Sequence, residues 1–266
     1  MVSAKDIRVA PISATSAKAL VRRYHYSGKV VNNSQLHLGV FLDGRAEGVM
    51  SFGRSMKQRE MIPLVEGTEW NGAMELNRMA FSDRLPRNSE SRALSCAFRL
   101  IRKHYPHIEW VVSFSDACQC GDGTIYRAAG FLLIDVKKNK SLYGLPDGRV
   151  VNNLCMTGKS MLADLRANPL LSPAWSYQKN AKILGASPID GFQIKYIYFL
   201  NPAARERLTV PILPFSKIAE MGASMYRGER TRPKQATPGT TGEAAGQNRP
   251  GRSNNDQPAG GDTEPA

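Results

Sequence analysis

The sequence predicts an α/β fold in which helices flank a mixed central sheet. Two segments of alternating apolar residues surround Asp43-Gly44, a dipeptide typical of a two-residue hairpin turn. The segment Ser89–His104 places its apolar residues at the period of an amphipathic helix. Between residues 74 and 136, segments with strand character alternate with segments with helix character, which is typical of α/β domains.

The elements before residue 106 follow from periodicity and from the residues that interrupt it. They are a helix at 16–24, strands at 35–42, 46–52 and 74–81, and the helix Ser89–His104. Asn88 or Ser89 is expected to cap the long helix, because short polar side chains accept hydrogen bonds from the first turn. Pro106 is expected to end it.

The elements after residue 106 are shorter. They are a strand at 110–114, a helix at 124–129, and strands at 131–136 and 191–200. The strands are rich in β-branched and aromatic residues, which favour extended structure. Gly123 is expected to permit the turn into the short helix, and Gly130 to end that helix.

A change in composition divides the chain into a folded domain, 1–226, and a tail, 227–266. The tail contains no Ile, Leu, Val, Met or aromatic residue and is rich in Gly, Pro, Thr and Asn. Such a segment cannot bury apolar surface, so it is predicted to be disordered.

The net charge of +13 indicates an anionic partner. The tail has six basic and five acidic residues, so +12 falls on the domain 1–226. A basic surface on the folded part favours DNA as the partner. The chain has no apolar run of about 18 residues and no apolar leader, so no membrane association is expected and the predicted location is the cytoplasm. Its four cysteines follow no disulfide framework, which is typical of a reducing compartment.

Several long phrases resemble one family. The stretches HYSGKVVNNSQLHLGVFLDG, ELNRMAFSDRLPRNSESRA, RKHYPHIEWVVSFSD and CGDGTIYRAAGF are similar to those of the Mom family of phage DNA-modification proteins. The resemblance extends from about residue 20 to 200. The order of elements and the phrase IYRAAGF also resemble the GNAT superfamily of N-acetyltransferases, so the expected fold is a GNAT-like mixed sheet.

The resemblance implies a function. Mom-type proteins convert adenine in DNA to N6-carbamoylmethyl-adenine, which shields phage DNA from host restriction enzymes. Such an enzyme must position the weakly nucleophilic exocyclic amine, accept its proton and stabilise the developing charge. Because that amine lies in the base stack, the adenine is expected to be flipped out or single-stranded.

Asp116 and Tyr126 are the first two candidate catalytic residues. Asp116 follows strand 110–114, and ligands gather at the carboxyl ends of strands in α/β sheets. Its carboxylate is predicted to act as a general base or to bind the adenine edge, with a turn-capping role as the alternative. Tyr126 precedes Gly130-Phe131 by one turn, where GNAT-like enzymes meet the acyl donor. It is predicted to protonate the leaving group or bind the donor carbonyl, and otherwise is a core aromatic.

Arg78 is a third candidate, because it is the cation in a strand that is otherwise rich in apolar residues. Strict alternation places Leu76, Arg78 and Ala80 on one face and Glu75, Asn77 and Met79 on the other. A half-buried guanidinium needs an anionic partner. That partner is a donor phosphate, a substrate carboxylate or the neighbouring Glu75.

His25 and Tyr26 combine an acid–base group with an aromatic ring beside several cations. His25 is predicted to be catalytic, and Tyr26 to contact the substrate DNA, with an ordinary helix end as the alternative. Aromatic rings among cations suit a flipped or single-stranded base. The cations predicted to contact DNA are Arg22, Arg23 and Lys29.

The segment 87–92 is the predicted donor-binding loop. GNAT enzymes hold a pyrophosphate here with a glycine-rich loop, and Arg87 fits its first position. Glu90 and Arg92 replace the glycines, which argues against acetyl-CoA as the donor. Ser89, Ser91 and Arg92, at a helix N-terminus, are predicted to hold another activated donor, such as a glycine-derived ester.

Three alternatives remain open from the sequence. In the first alternative, the protein is an ordinary N-acetyltransferase. In the second, it is a DNA-binding protein without catalytic activity, although the sequence lacks a helix-turn-helix or zinc-finger pattern. The third concerns metals. Cys118 and Cys120 match no standard zinc spacing, so no metal site is predicted, and a loosely held iron near His25 or Asp116 is the alternative.

Overall fold

A seven-stranded mixed sheet forms the centre of the protein. The computed structural model describes residues 2–118, 121–226 and 229–230. The predicted tail, 227–266, therefore lies almost entirely outside the described residues, as does Cys120, and the boundary at 226 stays a prediction. No described helix is long and apolar enough to cross a membrane.

The strands are short to medium in length. They are β1 Arg8–Pro11, β2 Ser34–Leu42, β3 Arg45–Gly53, β4 Ala73–Phe81, β5 Trp110–Asp116, β6 Leu132–Lys138, β7 Leu142–Gly144, β8 Val150–Asn152, β9 Ser187–Pro188, β10 Phe192–Phe199, β11 Met225–Tyr226 and β12 Glu229–Arg230.

The helices lie between these strands. They are α1 Ala14–Tyr24, α2 Gln58–Met61, α3 Ser89–His104, α4 Thr124–Ala128, α5 Ala163–Ala167, α6 Tyr177–Leu184 and α7 Ser216–Glu220. Short 3₁₀ turns occur at Ile62–Leu64, Asn153–Met156, Gly158–Ser160 and Pro202–Arg207.

The strand order confirms the predicted mixed sheet. It is β1-β2-β3-β4-β5-β10-β6. Strands β1 to β4 pair with one another in antiparallel fashion, and β4 pairs with β5 in parallel. Strand β10 lies between β5 and β6 and is antiparallel to both. All the predicted helices and strands are present, each with bounds within two residues of the prediction.

Helices cover both faces of the sheet. On one face, α3 buries Leu94, Phe98 and Ile101 against the apolar side chains of the sheet. Each fully buried side chain of this size stabilises the fold by about 1.5–3 kcal/mol. On the other face, α1 packs Ala17 and Val21 against the first half of the sheet.

A β-bulge in β4 corrects the predicted alternation. Ser51 of β3 pairs with Arg78 and the next residue, Phe52, pairs with Leu76, so Asn77 is an extra residue. Before the bulge, Met74 and Leu76 belong to the α3 face, and after it Met79 and Phe81 do. Arg78 therefore lies on the α1 face, where it lines a small pocket with Ala17 and Val21. The sequence-based assignment of Arg78 to the face of Leu76 is wrong, because one inserted residue reverses every later side chain.

The connection between β6 and β10 forms a small unit, here named the β6–β10 insert (139–191). It contains the sheet β8-β7-β9 and the helices α5 and α6. It also has its own apolar cluster, which includes Leu145, Val151, Met156, Leu165 and Leu171. The sequence patterns did not predict these short elements.

Candidate active site where two strands separate

The sheet opens at one place, between β4 and β5. These parallel strands pair only at Ala73–Trp110, Met74–Val111 and Glu75–Val112. Beyond those pairs, β4 remains with β3 as far as Phe81, and β5 remains with β10 as far as Asp116. Side chains near the ends of both strands therefore border a gap between them.

Asp116 ends β5 at this gap. Its Oδ2 accepts a hydrogen bond of 3.1 Å from the Tyr26 hydroxyl, and its Oδ1 accepts the Cys118 backbone N–H at 2.9 Å. The chain after Asp116 is fixed to β10, because Ala117 and Phe192 exchange backbone hydrogen bonds. The half-buried carboxylate is thus held in place while part of it faces solvent.

Tyr26 reaches Asp116 from the segment that follows α1, and His25 lies beside it. The helix stops at Tyr24, because His25 adopts an extended conformation with its N–H bonded to the Val21 carbonyl. The ring of His25 stacks on that of Tyr26 with centroids 4.4 Å apart. Tyr26 is 55% exposed, so its ring remains accessible at the edge of the gap.

The imidazole of His25 is neutral at physiological pH. Burial, together with the nearby Arg78 guanidinium, lowers its pKa from 6.5 to about 4. Its Nδ1 accepts the Ser27 backbone N–H at 3.2 Å and lies 2.9 Å from the Ser27 hydroxyl. The neutral ring therefore carries its proton on Nε2 and presents a hydrogen-bond donor there.

Arg78 places a half-buried positive charge beside these groups. Its Nε donates to the Lys29 carbonyl at 2.9 Å, and its Nη1 donates to the Asn77 carbonyl at 2.8 Å. Burial lowers the pKa of the guanidinium, whereas the phenols of Tyr26 and Tyr126 and the carboxylate of Glu75 oppose that shift. The bulge thus orients Arg78 so that it faces several acidic groups at once.

Tyr126 lies in α4, and its ring is buried. It packs on Phe131 and on Tyr196, with ring centroids 5.2 Å apart in both pairs. Gly123 begins the helix with φ of +84°, and a Cβ at this position would lie 2.5 Å from the Tyr196 ring. The Tyr196 hydroxyl donates a hydrogen bond to the Asp122 carbonyl. Glycine is therefore required here both for the backbone conformation and for the packing.

The cations predicted to contact DNA surround Tyr26. Arg22, Arg23 and Lys29 are exposed, and the Arg23 guanidinium lies 5.1 Å from the centre of the Tyr24 ring. The Lys29 carbonyl binds Arg78, so the cationic loop and the buried charge are connected directly.

The predicted donor-binding loop, 87–92, has a different character. Ser89 is fully buried, and both its N–H and its hydroxyl donate to the Pro86 carbonyl, the hydroxyl at 2.6 Å. The Ser91 hydroxyl donates to the Asn88 carbonyl at 3.2 Å. Arg87 and Arg92 are exposed. Of the four predicted donor ligands, the two arginines have the most accessible side chains.

Among residues 2–118, 121–226 and 229–230, no group of three or more His, Cys, Asp or Glu side chains is arranged to hold a metal ion. Cys118 lies beside Asp116, where it packs against Gly191. Its predicted neighbour in the pair, Cys120, lies outside those ranges. The structure therefore adds no support for the iron alternative.

The structure brings together five of the predicted residues, which are His25, Tyr26, Arg78, Asp116 and Tyr126. Sequence reasoning did not assign a role to Tyr196, which supports both Gly123 and Tyr126. The available signal was Gly123 itself, because glycine often marks a close approach of the backbone to another group. Glu75 was considered as a partner of Arg78, although strict alternation put the two on opposite faces, and the bulge explains why they share a face.

Two sequence comparisons agree with each other. The model of the Mom protein family matches residues 6–217. The chain is also 37% identical, over 213 residues, to the methylcarbamoylase Mom of Escherichia phage Mu, a match that covers 78% of this chain and 81% of the relative.

Comparison with solved structures gives distant similarities. The IAA acetyltransferase from Bacillus cereus is 11% identical, with a TM-score of 0.40 over 73% of this chain and 99% of the other. The ribosomal-protein-S18-alanine N-acetyltransferase from Escherichia coli is 11% identical, with a TM-score of 0.40 over 73% of this chain and 94% of the other. The family match extends over most of the described chain and includes all five residues at the gap, and on that ground the chain belongs to the Mom protein family.

Proposed function

We propose that this protein is a DNA-modifying transferase. It attaches an activated two-carbon unit to the exocyclic amine of adenine in DNA, giving N6-carbamoylmethyl-adenine, and so protects phage DNA from restriction in the host cytoplasm. Membership of the Mom family and the 37% identity to a methylcarbamoylase support this proposal. The +12 charge of residues 1–226 favours DNA as the substrate.

The observation that carries the proposal is the convergence at the gap between β4 and β5. The groups come from the end of α1, from β4, from the end of β5 and from α4. Such a convergence of polar groups from four elements is typical of an active site rather than of an inert surface. The site offers a carboxylate, a buried cation and a neutral imidazole. These are the groups that amine acylation or alkylation requires.

Asp116 is the proposed general base. In the reaction, the amine nitrogen forms a bond to the transferred carbon, and the bond from that carbon to the leaving group breaks. One N–H proton passes to the Asp116 carboxylate. The Tyr26 hydroxyl, bonded to Oδ2 at 3.1 Å, orients the carboxylate, so Tyr26 acts partly as a positioning residue.

Arg78, His25 and Tyr126 are the proposed stabilising groups. The Arg78 guanidinium offsets negative charge that develops on the acyl oxygen or the leaving group. The Nε2–H of neutral His25 donates a hydrogen bond to the same region. Tyr126, in α4, protonates the leaving group, which then departs as a neutral species.

The exposed ring of Tyr26 is the proposed platform for the adenine. A base flipped from the duplex needs an aromatic surface to replace the stacking that it loses. Tyr26 stacks on His25, which supports the ring from behind. The adenine amine is then placed within reach of Asp116, the hydrogen-bond partner of Tyr26.

The proposed donor is a glycine-derived ester rather than acetyl-CoA. Transfer from a glycine ester first gives N6-glycyl-adenine, whose substituent is an isomer of the carbamoylmethyl group. Attack of the glycyl amine on C6 of the adenine, with cleavage of the original C6–N6 bond, then gives N6-carbamoylmethyl-adenine with no further reactant. Glu90 and Arg92 occupy the positions where a pyrophosphate cradle needs glycine, and Ser89 is already bonded to Pro86. Arg87 and Arg92, exposed at the start of α3, are left as the proposed ligands for the anionic part of the donor.

The function is tested by expressing the protein in bacteria, digesting the cellular DNA to nucleosides and analysing deoxyadenosine by mass spectrometry. We expect deoxyadenosine that carries one additional carbamoylmethyl group. Feeding isotopically labelled glycine or labelled acetate then separates the donors, because label from glycine is expected in the modified base. Unmodified deoxyadenosine in cells that contain folded protein would exclude the proposed function.

A further inference from the structure

We propose that the β6–β10 insert (139–191) is a docking surface for the DNA backbone that flanks the target adenine. This inference rests on the proposed function, because it specifies how DNA is held at the same site. It assigns a role to a part of the fold that contributes none of the predicted catalytic residues.

The insert begins and ends beside Asp116. In the sheet, Gln193 of β10 pairs with Asp116 on one side and with Lys137 of β6 on the other. The Asn139 N–H donates to the Gly191 carbonyl at 2.8 Å, which closes the base of the insert. Gly191 also lies against Cys118, since a Cβ on this glycine would lie 2.5 Å from the Cys118 Sγ. The insert therefore starts from the rim of the candidate active site.

Asp116 thus lies between two basic surfaces. On the β4 side, the end of α1 carries the exposed cations Arg22, Arg23 and Lys29, and it contacts Asp116 through Tyr26. On the β10 side, the insert approaches Asp116 through Gly191 and Cys118. DNA with its target base at Asp116 extends in both directions, so both surfaces are positioned to meet its backbone.

The insert carries a net positive charge. Residues 139–191 contain six cations and three carboxylates, so they carry +3 of the +12 that belongs to residues 1–226, and Lys137 and Lys138 at the end of β6 add +2 beside them. Two of those carboxylates, Asp147 and Asp164, both bind Arg149, at 2.7 and 2.6 Å. Five further cations of the insert lie outside that cluster and are exposed; they are Lys140, Lys159, Arg166, Lys179 and Lys182.

One of these cations is held in position by an aromatic ring. The Lys179 ammonium lies 3.5 Å from the centre of the Trp175 ring, and the ring itself is 37% exposed. Lys182 follows on the next turn of α6. An ammonium fixed over an exposed indole combines a charge for phosphate with a flat apolar surface, a combination typical of nucleic-acid contacts.

The size of the ligand explains why such a surface is needed. Duplex DNA carries one negative charge per about 1.7 Å of its axis, and specific complexes bury about 1,000 Å² or more of protein surface. The five side chains around the gap are too few for an interface of that area. The exposed cations of α1 and of the insert extend the interface in the two directions that the DNA follows.

The test compares two double charge reversals in the full-length protein. Lys179→Glu with Lys182→Glu changes the insert. Arg99→Glu with Lys103→Glu makes the same change in net charge on α3 and is the control. The end of α3 precedes the start of β5, and at about 3.3 Å per residue the start of β5 lies about 20 Å from Asp116 at its other end. Binding of a fluorescent DNA duplex is measured by anisotropy over a salt series, and thermal unfolding checks that both variants are folded.

We expect the insert variant to bind DNA at least about tenfold more weakly than the α3 variant at moderate salt. The slope of log K against log salt should become shallower by about 0.9 for each DNA phosphate that the variant no longer neutralises. The proposal is overturned if the wild-type protein modifies adenine but the two variants bind DNA with equal affinity and with equal slopes of log K against log salt. That result leaves the proposed function intact, whereas the absence of modified adenine from wild-type cells refutes the function itself.

A second pair of substitutions in the insert distinguishes a loss of charge from local unfolding of α6. Lys140→Glu with Lys159→Glu reverses two exposed charges outside that helix. The same weakening and the same shallower slope are expected, and wild-type affinity in this pair together with wild-type affinity in the α6 pair overturns the proposal.

Discussion

The starts of α3 and α4 share a backbone conformation, but different contacts hold them. Each helix begins at a residue in the left-handed conformation, Asn88 with φ of +69° and Gly123 with φ of +84°. At α3, the serine hydroxyls bond to carbonyls within their own turn. At α4, the turn is fixed by Tyr196, which lies more than 70 residues later in the chain.

The difference teaches what separates a local turn from an assembled site. The polar groups at the start of α3 satisfy one another, and the side chains that extend from this turn are arginines. The start of α4 is held by a distant strand, and that strand also anchors the residues after Asp116. The geometry of an assembled site is therefore fixed by residues that lie far from it in the chain.

The largest expected effect comes from removing the charge at the assembled site. Asp116→Asn keeps the size of the side chain but cannot accept the amine proton, so the rate of adenine modification should fall by about 10²–10⁴-fold. The midpoint of thermal unfolding should change little, since the carboxylate is only half-buried. The rate is measured by nucleoside mass spectrometry, with Asp83→Asn, an exposed aspartate before α3, as the control. Comparable rates for the two variants would remove Asp116 from the mechanism.

The second effect separates the two helix starts directly. Gly123→Ala adds a Cβ 2.5 Å from the Tyr196 ring at a left-handed position. Backbone strain and overpacking together should lower the free energy of unfolding by about 2–5 kcal/mol. Asn88→Gly retains the left-handed backbone at the start of α3 and should change the free energy of unfolding by less than about 0.5 kcal/mol. Urea unfolding measures both, and equal losses of stability would contradict the contrast between the two turns.

A smaller effect is expected within the α3 turn. Ser89→Ala removes a buried hydroxyl bonded to Pro86, which should cost about 1 kcal/mol of folding stability. Ser91→Ala, at a half-buried position, should cost less. Because the Ser89 hydroxyl is committed to Pro86, the KM for the donor should stay the same in the Ser89 variant. A large rise in that KM would show that Ser89 binds the donor after all.

The smallest effect concerns pH. The pKa of His25 is lowered from 6.5 to about 4 by burial and by Arg78. Between pH 6.5 and 4, His25 is protonated in the unfolded chain but neutral in the folded protein. The free energy of unfolding therefore decreases as pH falls from 6.5 toward 4, and His25 does not lower it above pH 6.5. Solvent screening at the half-buried ring keeps the effect small. His25→Gln should flatten this part of the stability profile in urea unfolding, while His37, whose pKa is also lowered by burial, leaves a residual slope.

The hairpin and the long helix were predictable because their signals are local. Asp43 and Gly44 both adopt the positive φ that their turn requires, and α3 repeats its apolar residues at the helical period. Arg78 was assigned to the wrong face, because a bulge depends on pairing with β3 and leaves no mark in the periodicity of β4. The hydrogen bond between Tyr26 and Asp116 joins positions 90 residues apart. No local pattern predicts such an interaction, so the sequence identified the site residues one by one, from local chemistry and from the family resemblance, but not their contacts.

The position of β10 between β5 and β6 has a consequence for how the protein is made. A ribosome delivers β5 and β6 first, then the 53 residues of the insert, and only afterwards the strand that belongs between them. Until Phe192–Phe199 emerges, β5 and β6 each carry an exposed edge that another chain can pair with. A nascent chain that stops before this strand contains His25, Tyr26, Arg78 and Asp116 but lacks the backbone partner of Ala117 and the ring behind Tyr126. Assembly of the gap is therefore a late event in synthesis, and an incomplete chain carries the catalytic side chains without the geometry that makes them work together.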